Sequence, residues 1–157
     1  MTAVTFRAWM VAIVCLAGTC TADAGAGDSL YIRLGGEPGV AAISNTLIDR
    51  VVADPLMGPS FKDSKLERIK KLLAEQICDL SGGPCRYSGD SMKEVHAGHH
   101  ISEAQFYRMV ETLRDVLNER HVDLRSTNQL LRLLAPTKRD VVEHADAAAA
   151  PAKSNAQ

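Results

Sequence analysis

Residues 81–106 read SGGPCRYSGDSMKEVHAGHHISEAQF and hold three of the chain's five histidines together with Cys85. Gly82-Gly83-Pro84 stops a helix, since glycine accepts the left-handed turn at a helix end and proline has no N–H to continue the ladder. Ser102 and Gln105 have capping-box spacing, and Ile101 with Phe106 has that of a hydrophobic staple, so a new helix begins near Ser102. His96, His99 and His100 therefore lie between two helical patterns.

Working outward, both flanks are helical. Upstream, Leu66, Ile69, Leu73, Gln76, Ile77 and Leu80 share one face of a helix running from about Ser64 to the Gly-Gly stop. Before it, residues 55–63 form a connector holding Phe61. Val40, Ile43, Leu47, Ile48 and Val51 mark an earlier helix, with Pro38 in its first turn and Pro55 at its end. Downstream, Phe106, Met109, Val110, Leu113, Val116 and Leu117 continue the apolar stripe. A final helix is predicted from about Ser126 to Val142, bent at Pro136. No alternating run competes, and the expectation is all-α.

At 157 residues the chain suits one domain, and 46% hydrophobic residues support a core. A net charge of −1 gives no electrostatic footprint for nucleic acid. The N-terminal 24 residues read as a signal peptide. Arg7 precedes the apolar run Ala8–Gly18, which is too short to span a bilayer, and Ala22-Asp23-Ala24 offers a small-x-small cleavage site. Export to the periplasm or outside the cell follows, with acylation at Cys20 and an uncleaved anchor as the alternatives; no membrane span remains in the mature chain. Only Cys78 and Cys85 then remain, and an oxidising compartment favours a disulfide over two free thiols. The expected organisation is a signal peptide at 1–24, a domain at 29–144 and a low-complexity Ala/Pro tail at 145–157.

The chain has no Gly-rich phosphate loop and no nucleophile elbow, so the histidines carry the chemistry. On a single helix His96, His99 and His100 would share a face fit for zinc, but Gly98 and the cap at Ser102 put the last two in a loop where their side chains do not converge. Three readings stay open for His96. It is an incidental metal ligand on a structural domain, an ordinary histidine, or a ligand to haem iron walled by Met92, Val95 and Ile101. Periodicity does not choose among them.

From Leu30 to Val142 the sequence resembles the group I truncated haemoglobins, short globins built as a two-over-two helical sandwich. The resemblance rests on LYIRLGGEPGV (30–40), RVVADP (50–55), Phe61, SGGP (81–84), YSGDSMKEVHAGHHI (87–101) and LLAPTKRDVV (133–142). It implies a non-covalent b-type haem, with His96 as the proximal iron ligand and Phe61 packed on the porphyrin. Tyr87, Met92 and Ile101 would line the proximal edge. A diatomic gas such as oxygen, nitric oxide or carbon monoxide would bind on the other side.

The chain also departs from the pattern. Many members carry a tyrosine in the first long helix that bonds to the bound gas, and Ile48 stands there. The helix above the haem presents Ile69, Leu72 and Leu73 where glutamine, histidine or lysine often occurs, with Gln76 as the one neutral polar residue. No histidine precedes His96 to serve as a second iron ligand, and Thr137 lies where some members attach haem covalently. Lys70, Lys71 and Arg68 are candidates for the propionates. Reversible gas binding is thus expected, with a haem enzyme (nitric oxide dioxygenase or peroxidase-like, the former needing an unidentified reductase) as the alternative.

Overall fold

A computed structural model of the protein describes residues 29–143; the predicted signal peptide, His144 and the Ala/Pro tail lie outside the described residues. Among the described residues seven α-helices run in order: α1 (Leu30–Arg33), α2 (Gly36–Ala53), α3 (Leu66–Leu80), α4 (Met92–His96), α5 (Glu103–Glu119), α6 (Leu124–Leu134) and α7 (Lys138–Val141). Short 3-10 turns at Gly58–Phe61 and Ala135–Thr137 join α2 to α3 and α6 to α7. No strand occurs among the described residues.

The helix ends are chemically explicit. Ser29, Ser91, Ser102 and Asp123 each cap a helix through a side-chain oxygen that accepts a main-chain N–H. The stop after α3 is a Schellman motif. Gly82 sits at φ +82°, its N–H donates to Asp79 O, and the Gly83 N–H donates to Cys78 O at 2.8 Å. A side chain at position 82 would hold this left-handed conformation under strain.

α2 packs against both α3 and α5, while α6 reaches α1, α3 and α5. Their shared core includes Val40, Ile43, Leu47 and Val51 from α2, Ile77 from α3, Val116 and Leu117 from α5, and Leu130 from α6. Arg33 ties α1 to α6, donating to Ser126 Oγ at 2.9 Å and Gln129 Oε1 at 2.6 Å.

The last helical stretch differs from its sequence reading. Asp123, not Ser126, sets its start, because the aspartate oxygen accepts the Ser126 N–H. Pro136 does not bend one helix. It sits in a 3-10 turn that separates α6 from the short α7, as expected where a proline removes a donor.

Candidate functional site

Five residues make up α4, too few for a stable helix by propensity. A capping box holds it: Ser91 Oγ accepts the Glu94 N–H, and the Glu94 carboxylate accepts the Ser91 N–H at 3.1 Å. His96 is its last residue and is half-buried. Its Nδ1 lies 2.7 Å from the carbonyl oxygen of Met92, one turn back. A carbonyl only accepts, so Nδ1 is the donor, and in the tautomer this contact selects Nε2 is the nitrogen with a free lone pair. That nitrogen has no protein partner among the described residues.

The linker leading to α4 is strapped to α3 along its length. Cys78 and Cys85 are joined by a disulfide with Cα atoms 5.8 Å apart. Asp79 accepts from the Tyr87 N–H at 3.2 Å and pairs with Arg86. Glu75 accepts from the Ser88 hydroxyl at 2.6 Å, and this bond, ahead of the nearby Lys71, holds the Glu75 carboxyl below the usual glutamate range. Gln76 reaches furthest, its amide donating to the Met92 sulfur at 3.2 Å. Four consecutive-turn residues of α3 thus fix where α4 begins.

Tyr87 is half-buried and its hydroxyl donates to Asp90 O at 2.9 Å. Burial raises its pKa, with Asp90 and Glu75 adding to the effect, so the phenol keeps its proton. The ring lies over Gly89. A Cβ there would meet the Tyr87 hydroxyl at 2.3 Å, which explains the Tyr-x-Gly spacing.

Ile69, Leu72, Leu73 and Gln76 share one face of α3 by helical arithmetic, and the Gln76–Met92 contact turns that face toward α4. Leu73 also leans on the main core, as does Phe61 at the end of its 3-10 turn. Ile69, Leu72, Met92, Ile101 and Phe106 are half-buried but lie outside that core cluster. Leu80 and Val95 are each 37% exposed. Ile48 is 2% exposed yet also outside the cluster, on α2. Half-buried apolar residues outside the core, those of α3 lying on the face turned toward Met92, are the composition of a ligand-binding surface.

The basic candidates separate. Lys70 is held by Asp49 at 2.8 Å and Glu67 at 3.2 Å, and with Lys71 it rims a cleft of about 360 Å³ on the opposite side of α3, walled by Val40, Ala74, Cys78 and Cys85. Neither lysine serves the α4 side; Arg68 is exposed and off that rim. His99 and His100 are exposed in the loop, and no group of three potential ligands for a metal ion occurs among the described residues. Sequence reasoning missed the Ser91–Glu94 box, whose S-x-x-E spacing was readable, and the grips by Glu75 and Asp79, which were not.

The bacterial-like globin family profile matches residues 29–143. A group 1 truncated haemoglobin of Mycolicibacterium paratuberculosis is 30% identical over 108 residues, covering 69% of this chain and 79% of that protein. One from Tetrahymena pyriformis is 27% identical over 115 residues, covering 73% and 95%. The crystal structure of the Tetrahymena pyriformis truncated haemoglobin in its Fe(III) form superposes with a TM-score of 0.70 over 74% of this chain and 99% of that one, at 27% identity. The 2/2 haemoglobin of Synechococcus, solved with covalently attached haem, gives 0.68 over 74% and 99% at 22% identity, a likeness of fold alone. Apart from such a covalent case, truncated haemoglobins hold b-type haem non-covalently, and the family binds diatomic gases. The site fits such a group: a half-buried imidazole with one nitrogen committed and the other available, beside apolar side chains that the core leaves uncovered. With its profile match spanning the whole described chain, the protein belongs to the bacterial-like globins, as a truncated haemoglobin.

Proposed function

We propose that the protein binds a diatomic gas reversibly, using a haem whose iron is ligated by His96 Nε2. The observation that carries this reading is the Met92 carbonyl on His96 Nδ1, which fixes the tautomer and the ring direction that ligation requires. Bound haem supplies an iron with an open position for the gas. The chain's own residues do the rest. Met92 and Ile101 flank the proximal side, and Phe61 and Tyr87 close the edges. Ile48, Ile69 and Leu73 would line the gas side and keep that space apolar.

Binding is favoured over catalysis by the same distal face. A peroxidase-like reaction wants an acid–base group positioned to move protons; Ile69, Leu72 and Leu73 offer none, and Gln76 is engaged with Met92. The Cys78–Cys85 bridge, together with the apolar N-terminal run, supports placement in an oxidising envelope compartment. The test is the absorption spectrum of the reduced, haem-loaded protein with and without oxygen and carbon monoxide. Stoichiometric haem, a five-coordinate ferrous form and reversible shifts with both gases are expected. Absence of a Soret band after haem addition overturns the reading.

A further inference from the structure

Glu143, the last described residue, makes three contacts with the loop that follows His96. Its main-chain N–H donates to Ile101 O at 3.0 Å. One carboxylate oxygen accepts the Gly98 N–H at 2.6 Å, and the other lies 2.8 Å from His100 Nδ1. The loop itself is locally unfavourable. Gly98 sits at φ +77° and His100, with a side chain, at φ +50°, a region that non-glycine residues enter at a cost. Something must hold residues 97–101 in that shape, and α7, which packs against α4, brings the carboxylate to do it.

We infer that Glu143 is a positioning residue for the haem site: it clasps the Gly98–Ile101 loop and so fixes the downstream end of α4 and the orientation of His96. This rests on the reading of His96 given above. The upstream end of α4 is already fixed by the straps from α3, so His96 is suspended between two anchors. Releasing one lets the imidazole swing and tilt. The carboxylate is two-thirds shielded from solvent (side chain 33% exposed), and a charged acceptor so placed makes a stronger bond than a fully solvated one.

The test compares Glu143→Ala and Glu143→Gln with the unaltered protein, in two states. In the haem-free protein, amide exchange at Gly98 should accelerate by about tenfold in Glu143→Ala, the size expected for losing a hydrogen bond to a charged group. In Glu143→Gln it should stay within about threefold of normal, because the glutamine carbonyl still accepts. In the haem-loaded ferrous protein, Glu143→Ala should shift or broaden the iron–histidine stretching band and speed haem loss to an acceptor globin by about tenfold; Glu143→Gln should restore the band. A Glu143→Ala protein with normal Gly98 exchange overturns the clasp. Faster exchange with an unchanged band and unchanged haem loss overturns its role toward His96. An unaltered protein that takes up no haem instead overturns the reading of the site itself, and this inference falls with it.

Discussion

The side-chain amide of Gln76 donates to the sulfur of Met92 at 3.2 Å, joining the helix above the proposed haem to the first residue of the helix below it. That contact uses one of the two amide protons and draws the Gln76 side chain toward Met92. The residues proposed to line the gas side are Ile48, Ile69 and Leu73, none of whose side chains donates a hydrogen bond.

Oxygen release follows from that assignment. A buried donor stabilises polar bound oxygen by about 0.5–1.5 kcal/mol, roughly a two- to tenfold effect on affinity. The unaltered protein should release oxygen fast and oxidise readily. Ile48→Tyr should slow release by about that factor, and Gln76→Leu should change it less than about twofold. Stopped-flow dissociation decides this, and a strong acceleration in Gln76→Leu would show that the wrong residue has been given the distal role.

The Cys78–Cys85 bridge closes a short loop, with a sequence separation of 7. The chain-entropy relation gives about 2–3 kcal/mol for its removal. Because it straps α3 to the linker before α4, Cys78→Ser with Cys85→Ser should also speed haem loss. Denaturant unfolding and haem-transfer rates measure the two effects. Alkylation of both thiols in the folded, non-reduced protein contradicts the bridge.

Acid should loosen the same strap. Glu75 titrates lower in the folded protein than in the unfolded chain, chiefly because it accepts from Ser88. Its contribution is full above the ordinary glutamate pKa of about 4.3 and is lost as pH falls through the lower folded value. Stability should thus decline below about pH 4.3, and Glu75→Gln should flatten that part of the profile while leaving neutral-pH oxygen binding intact. An unchanged acid limb in Glu75→Gln contradicts the assignment.

Ser44 lies in the interior of α2, fully buried, and its hydroxyl has no partner among the described residues. An unsatisfied buried hydroxyl destabilises the fold, so Ser44→Ala should raise the unfolding free energy by about 1 kcal/mol. Chemical denaturation of the haem-free protein is the measurement. A loss of stability of similar size would mean that the hydroxyl finds a partner, such as an ordered water.

Much of this was legible in the chain. Apolar spacing located α2, α3 and α5, and Ser102 with Gln105 fixed the start of α5, because these signals are local. His96 was singled out by the resemblance to truncated haemoglobins, since local signals only placed it with His99 and His100 between two helical patterns and left its role open. What sequence could not show depends on chain separation. The partners of Glu75 and Asp79, Ser88 and Tyr87, lie in an irregular linker with no periodicity, so no sequence pattern pairs them. Glu143 meets Gly98 across 45 positions, a distance over which no pattern speaks. The short α4 has a readable cap but too few residues to show a repeat.

The central claim is that His96 alone ties the iron to the protein, and its most direct measurement is the ferrous absorption spectrum of His96→Ala beside His99→Ala and His100→Ala. His96→Ala should lose most of its haem, or regain the native spectrum only with added imidazole, while the other two variants should keep haem and spectrum. A His96→Ala protein with full haem content and an unaltered ferrous spectrum would contradict it.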